Sequence, residues 1–344
     1  MALSLDSDVL LFFEDHDRDT LFRNDRHLRR IIRKTWKAIR PGRAKLTGFE
    51  VWFRLLKLAL ERTGKRVHVN DRRLARQNPT FPIGICGSAF ALDRWTLQNP
   101  AVLGPGMLDH PSVLPDLMKD PRFMLYVTTC DWNRDVFARV YGPELCAPWY
   151  AGIDQEEWPD LSTQPKDIDV LIYDKVRWHR DTVEDALITP IEDALTARGI
   201  KWVVIRYGKY DYKRYRTLLA RSRTMMFLCE HETQGMAYQE AMSSGLPIIA
   251  WDPGTWVDPQ AKKYGLTAPI PATSVPYFSQ ECGERFKGLA DFPAVFDTFW
   301  SRRDSYRPRA YVAEALSLEG SARLYLSHLA NAARRAAEAK QRTD

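Results

Sequence analysis

The chain has 344 residues, 45% hydrophobic and 27% charged, which suits two domains of ordinary size rather than one. Its five cysteines, Cys86, Cys130, Cys146, Cys229 and Cys282, are odd in number and never form a Cys-x-x-Cys pair, which argues for a reducing compartment and against disulfides or structural zinc. No apolar run approaches the roughly 20 residues that span a bilayer, and the start of the chain lacks the basic, apolar and small-residue order of a signal peptide, so a cytoplasmic protein not integral to a membrane is expected.

The net charge of +6 is unevenly spread. Between Arg18 and Lys45 stand eleven Lys or Arg against Asp19 and Asp25, a local excess of nine that leaves the remainder near −3. Within residues 23–40, Leu28, Ile31, Ile32, Thr35, Trp36 and Ile39 fall at helical spacing, and Arg26, Arg29, Arg30, Arg33, Lys34, Lys37 and Arg40 fill the other face. This predicts a basic amphipathic helix, open to two readings: a solvated face on a packed helix, or an anionic membrane surface where each cation adds on the order of 1 kcal/mol. Nucleic acid is not expected as a partner, because no aromatic-basic motif accompanies the charge.

Around this helix the N-terminal half reads as an α/β domain. Strands are expected at Asp8–Phe13, Arg66–Val69, Phe81–Cys86 and Phe123–Thr128, and a helix at Gly48–Leu60 that ends near Gly64, a C-cap residue. His110, in Gly-Pro-Gly-Met-Leu-Asp-His-Pro, lies in a loop, as an exposed residue or local hydrogen-bond partner or in a catalytic role. The segment Glu156–Lys166, with Pro159 and Pro165, reads as a linker, so the predicted organisation is residues 1–150, a linker over 151–166, a second domain over 167–305, and C-terminal helices over 306–344.

The second domain opens with an expected strand at Asp167–Tyr173, followed by the cationic loop Asp174-Lys-Val-Arg-Trp-His-Arg180. Ile200–Arg206 reads as another strand, and Gly208 after it as a turn that lets backbone approach a ligand. Tyr207 and Tyr210 there could wall a nucleotide base, but aromatics beside a strand are more often core. Thr224–Cys229 is a short apolar run typical of a buried strand, Gly235–Ser244 is helix-friendly, and Leu246–Trp251 is the next strand. A strand, loop, helix and strand in this order bind ligands at the carboxyl ends of the strands. Glu232 falls at that edge and Glu240 one or two turns inside the helix.

A helix N-terminus suits a phosphate or diphosphate, and the backbone amides from Thr233 through Gln234 and Gly235 to Met236 would hold one. Carboxylates repel phosphate, so Glu232 and Glu240 are better suited to accept hydrogen bonds from hydroxyls of a sugar and a ribose. Taken singly, each would be a solvated acid. The pairs Asp6/Asp8 and Asp167/Asp169 precede strands and are read as strand-entry acids, so no metal is expected.

The run from Glu232 through Glu240, Ala241, Met242, Ser243, Ser244 and Gly245 to Pro247 resembles the signature of retaining GT-B glycosyltransferases of the group 1, family 4-like kind. There a glutamate, seven residues, a second glutamate, Ala-Met, small residues, Gly and Pro follow one another. The resemblance implies an α/β fold of GT-B architecture, with two Rossmann-like domains facing across a cleft in which donor and acceptor meet. It implies contact of Glu232 with the donor sugar and of Glu240 with the nucleotide ribose. An arginine and, five residues later, a lysine usually face the donor diphosphate in that family. Lys175 and Arg180 keep the spacing with the residue types exchanged, which leaves open which of Lys175, Arg177 and Arg180 meets the diphosphate.

By the same resemblance Gly42 and Gly48 correspond to the family's glycine loop on the acceptor side, although the long basic insert departs from its usual short connection. Pro148–Asp154 is similar to the element at which the family's chain leaves its first domain, and the alanine-rich helices expected over Tyr311–Lys340 often return to that domain in GT-B proteins. A first-domain histidine sometimes serves against the donor sugar, and His110 matches that context only loosely. The implied function is transfer of a sugar from a nucleotide diphosphate to a saccharide or lipid-linked hydroxyl, with retention, in polysaccharide or glycoconjugate biosynthesis. The nucleotide sugar is a co-substrate, and no cofactor is expected. Two alternatives stand beside it: a GT-B nucleotide-sugar epimerase, and a catalytically silent nucleotide-sugar-binding or membrane-associated scaffold.

Overall fold

The computed structural model describes residues 3–14, 32, 35, 47–93, 95–264 and 269–342. The basic helix expected over residues 23–40 lies outside the described residues, apart from Ile32 and Thr35, which are helical and exposed. Gly42 also lies outside them. The chain forms two compact units, one of Met1–Thr129, Arg134–Ala151 and Ser321–Asp344, the other of Cys130–Asn133 and Gly152–Gly320.

The first unit begins with the strand Asp8–Glu14 (β1), whose Val9, Leu10 and Leu11 are fully buried, as a central parallel strand covered on both faces requires. The helix Gly48–Arg62 (α1) follows. Thr47 caps it, its hydroxyl accepting from the Glu50 amide at 3.1 Å, and Phe53, Leu56, Ala59 and Leu60 form its buried face. Then come Arg66–Val69 (β2), the helix Arg72–Gln77 (α2), Ile83–Gly87 (β3), Ala101–Leu103 (β4), Phe123–Thr128 (β5), the helix Asp131–Tyr141 (α3) and Cys146–Pro148 (β6). The six strands are parallel in the order β2-β1-β3-β4-β5-β6.

The second unit holds Ile168–Asp174 (β7), the short helix Arg180–Val183 (α4), a π turn over Glu184–Ile188, and Thr189–Ala197 (α5). Pro190 explains the π turn, because its missing N–H cannot close an α-helical bond to the preceding turn. Trp202–Arg206 (β8), Tyr212–Arg221 (α6), Ser222–Leu228 (β9), Met236–Ser243 (α7), Ile248–Trp251 (β10), Gly283–Phe286 (β11), Phe292–Arg302 (α8) and Pro308–Ala315 (α9) complete it. Its five parallel strands run β11-β10-β9-β7-β8. One face packs Val170, Ile172, Met226 and Leu228 against Leu187, Ile191, Phe292 and Phe296. On the other, Tyr173 stacks on Phe227 at 5.6 Å, and Phe227 meets Tyr238 of α7 at 5.3 Å.

The final helix, Leu318–Gln341 (α10), belongs from Ser321 onward to the first unit. There the Tyr325 hydroxyl donates to the Gly104 carbonyl at 3.3 Å, His328 contacts the Pro148 carbonyl at 3.0 Å, and Arg335 donates to the Met124 carbonyl at 2.7 Å.

The expected strands are present with displaced ends. Strands expected from Phe81 and from Leu246 begin at Ile83 and Ile248, just after Pro82 and Pro247, which have no N–H for a ladder. β4, β6 and β11, of three or four residues, were too short to show a period.

Candidate functional site

In the second sheet β7 pairs with β8 on one side and β9 on the other, so successive connections leave it in opposite directions. That reversal opens a crevice beyond the carboxyl ends of β7 and β9, where doubly wound sheets place ligands. Asp174 and Leu228 are register partners at this edge, and the next residues of the two chains are Lys175 and Cys229.

The structure brings together Lys175 and Glu232, two of the residues expected at the site. The Lys175 ammonium forms an ion pair with the Glu232 carboxylate, and the side chains keep only 15% and 11% of their exposure. Burial alone would lift the Glu232 carboxyl, but the charges of Lys175 and Arg177 outweigh it and hold the group below its ordinary value. Burial likewise works against the Lys175 ammonium, and Glu232 more than compensates, so its value is raised. Both are therefore charged at neutral pH.

The backbone of Glu232 is pinned on both sides. Its amide donates to the Thr273 carbonyl at 2.9 Å, and its carbonyl accepts from the Trp132 indole at 2.8 Å. Asp252 fixes the Thr273 turn in its place, accepting from the Thr273 hydroxyl at 2.8 Å and the Ser274 amide at 3.0 Å.

The cationic loop splits into two groups. The Arg177 guanidinium donates to the His231 carbonyl at 2.9 Å and lies over the Trp178 ring at 4.2 Å, beside Glu232. One oxygen of buried Glu230 accepts both the Arg177 and Trp178 amides at 2.9 Å, which fastens this loop to the end of β9. Arg180 stands apart from that group. It pairs with Asp174 at 2.6 Å and with Glu184, and Arg206 joins the same acids at 3.1 and 3.2 Å. Two acids and two arginines thus satisfy one another, and Arg180 secures the start of α4.

Glu240 sits in α7, 4% exposed, its carboxyl accepting from the Tyr212 hydroxyl at 2.7 Å. Burial pushes its value up to about 8, against the pull of that hydrogen bond. Tyr212 belongs to a cluster with Tyr210, Tyr215 and Tyr173, in which the Tyr210 and Tyr173 hydroxyls are 2.6 Å apart. Gly208 takes φ +77° in the preceding turn, with open space where a Cβ would stand.

At the start of α7, Gly235 takes φ +77° and caps the helix, and a Cβ there would lie 2.0 Å from the Tyr238 ring. Thr233 and Met236 flank it, half-buried. The Gln234 side chain turns inward to Gln239 at 2.8 Å as a brace. In the first unit, His110 caps a short 3₁₀ turn, its Nδ1 2.7 Å from the Ser112 hydroxyl and accepting the Ser112 amide at 3.2 Å, and burial lowers its value. This is the local hydrogen-bonding role. Gly48 is the first residue of α1.

Glu230, His231, Trp132, Trp178 and Tyr212 were not singled out from the sequence. The hydrogen bonds that tie them to the site span 28 to 100 residues, so no local pattern pointed to them. An open cavity of about 460 Å³, lined by Asp160, Ser162, Gly245, Arg307 and Arg309 among others, includes none of the predicted site residues. Among the described residues no cluster of three or more His, Cys, Asp or Glu is placed to hold a metal ion, and no helix is long and apolar enough to cross a membrane.

No protein-family model and no curated protein matches the amino-acid sequence. The structure is similar to that of AviGT4, a glycosyltransferase involved in avilamycin A biosynthesis, with a TM-score of 0.54 over 95% of this chain and 98% of that one, at 11% identity. Lesser similarity extends to TarM, with a TM-score of 0.49 at 9% identity over 80% of this chain and 58% of that one. The catalytic domain of starch synthase IV from Arabidopsis thaliana gives 0.46 at 12% identity over 84% of this chain and 79% of that one. With two parallel Rossmann-like sheets and the AviGT4 match, the architecture is GT-B.

Proposed function

We propose that this chain is a glycosyltransferase that moves a sugar from a nucleotide diphosphate to a saccharide or lipid-linked hydroxyl, with retention at the anomeric carbon. The observation that carries the proposal is the Lys175–Glu232 pair at the carboxyl edge where the order of the second sheet reverses. A charged pair at such an edge is poised for a ligand with both anionic and hydroxyl groups, as a nucleotide sugar has.

In this reading Lys175 and Arg177, with the N-terminus of α7, stabilise charge that develops on the departing diphosphate. Arg180 then has a supporting role, because Asp174 and Glu184 already neutralise it. Glu232 accepts a hydrogen bond from a sugar hydroxyl, and its pinned backbone holds the carboxylate ready. Glu240, kept protonated at neutral pH, exchanges its Tyr212 partner for a ribose hydroxyl. No protein nucleophile is assigned. Retention rests on the resemblance of the run from Glu232 to Pro247 to retaining enzymes, and a front-face course, in which the leaving phosphate takes the acceptor's proton, fits it.

The test is transfer by the purified protein from a panel of nucleotide sugars, followed as release of nucleoside diphosphate. Glu232→Ala is expected to abolish release while the circular dichroism spectrum stays unchanged. Undiminished turnover in that variant would remove Glu232 from the site.

A further inference from the structure

Beside Glu232 the second unit gathers four rings whose faces the proposed chemistry leaves unused. His231, 5% exposed, stacks on Trp178 with centroids 4.8 Å apart and planes at 21°. Trp132 and Trp256 meet His231 edge-on at 5.9 and 6.2 Å and lie 6.1 Å from each other. All three tryptophans remain half-buried, not sealed. Half-exposed tryptophans grouped at a sheet's ligand-binding edge are costly to leave facing water, and such patches mark contact with an apolar surface.

The polar groups narrow the occupant. The buried Nε2 of His231 has no hydrogen-bond partner, nor does one buried oxygen of the neighbouring Glu230, so the wall has unsatisfied polar atoms behind it. Burial and the charge of Arg177 keep His231 neutral, with its ordinary value pushed down to about 3. An aromatic enclosure of this kind also suits an alkylammonium ion, but Lys175 and Arg177 stand beside Glu232 and would repel one. A carboxylate-bearing sugar would set a second anion against the Glu232 carboxylate. What remains is a ring with an apolar C–H face and a hydroxyl edge.

We propose that Trp132 and Trp256, backed by Trp178 and His231, form a saccharide-stacking wall that takes the C–H face of a neutral pyranose and presents its hydroxyl edge to Glu232. The proposal rests on the glycosyltransferase reading and deepens it by assigning the sugar's class. Trp178 is covered by Arg177 on one side and by His231 in the stack, so it backs the wall. Trp132 holds the Glu232 carbonyl, so the wall is tested at Trp256, on the segment after β10.

The experiment compares wild type, Trp256→Ala and Trp256→Phe by titration calorimetry with uridine, adenosine, guanosine and thymidine diphosphates and with their glucose conjugates. Methyl α-glucoside is examined separately by saturation-transfer NMR. In Trp256→Ala the glucose conjugate should bind about five-fold more weakly while the free diphosphate stays within about two-fold, and Trp256→Phe should recover most of the loss, as expected for one aromatic contact. Equal affinity of wild type and Trp256→Ala for the conjugate would overturn the wall. Should wild type bind no nucleotide, the glycosyltransferase reading falls by itself. The wall then stands on saturation transfer to the glucoside that is lost in Trp256→Ala, and absence of transfer in wild type refutes it.

Discussion

A carboxylate and an ammonium taken out of water are stable only as a pair, and removal of either leaves a buried charge without compensation. Lys175 and Glu232 are such a pair. Glu240, eight residues away, has the opposite electrostatics: a tyrosine hydroxyl is its partner, and burial outweighs that hydrogen bond and the charge of Arg216, which keeps the proton on. Its value rises from 4.5 in the unfolded chain to about 8 in the folded one, so the folded state holds the extra proton in that interval. Stability from this group is complete below pH 4.5 and is lost as pH rises through 8. Glu240→Gln, which mimics the protonated acid, should raise the melting temperature by several degrees at pH 9 and leave it unchanged at pH 4.5. Equal melting curves at pH 9 would place the carboxyl in contact with water. That Glu232 and Glu240 would stand out was legible from their frame of Gly, Ala-Met and Gly-x-Pro. Their contrasting charge was not, because it depends on Lys175 and Tyr212, which lie 57 and 28 residues distant.

Elements place these residues. β7 and β9 deliver Lys175 and Glu232 to one edge because their apolar stretches, residues 170–173 and 225–228, are buried and pair in register. The turn into α7 does so through Gly235, whose left-handed backbone and close approach to Tyr238 leave no room for a side chain. Gly235→Ala is expected to destabilise the protein by about 1–3 kcal/mol, from strain at positive φ and displacement of Tyr238. Thermal denaturation measures it, and a change below about 0.5 kcal/mol, the level of an ordinary surface substitution, would contradict the account. The glycine was visible in the sequence as a helix boundary. Its packing role was not, since the ring it meets becomes a neighbour only once α7 has formed. The cationic loop was legible as a cluster of positive charge, yet its division into an Arg177 group and an Arg180 group is set by Asp174, Glu184 and Glu230, which periodicity does not distinguish from solvated acids.

The two parallel sheets follow from alternating strand and helix patterns, which is why the α/β class was readable in advance, whereas β4, β6 and β11, of three or four residues, passed unnoticed. The last helix shows how distant segments complete a unit. Tyr325 of α10 is fully buried in the first unit, against Gly84 and with its hydroxyl on the Gly104 carbonyl. Tyr325→Ala should cost about 3–5 kcal/mol, the range for loss of a buried aromatic ring, and should lower the denaturant midpoint of the first unit. An unaltered midpoint would mean that β3 and β4 pack adequately without the Tyr325 ring.

The central claim is that the edge of the second sheet at Lys175 and Glu232 holds the diphosphate and sugar of a nucleotide sugar. Titration calorimetry of wild type and Lys175→Met with a panel of nucleoside diphosphates tests it most directly. The account predicts that wild type binds one of them and that Lys175→Met, with its fold intact, binds the same nucleotide about ten-fold or more weakly, as expected for loss of a charged partner. Folded wild type that binds none of the panel, or a variant that binds as tightly as wild type, would contradict it.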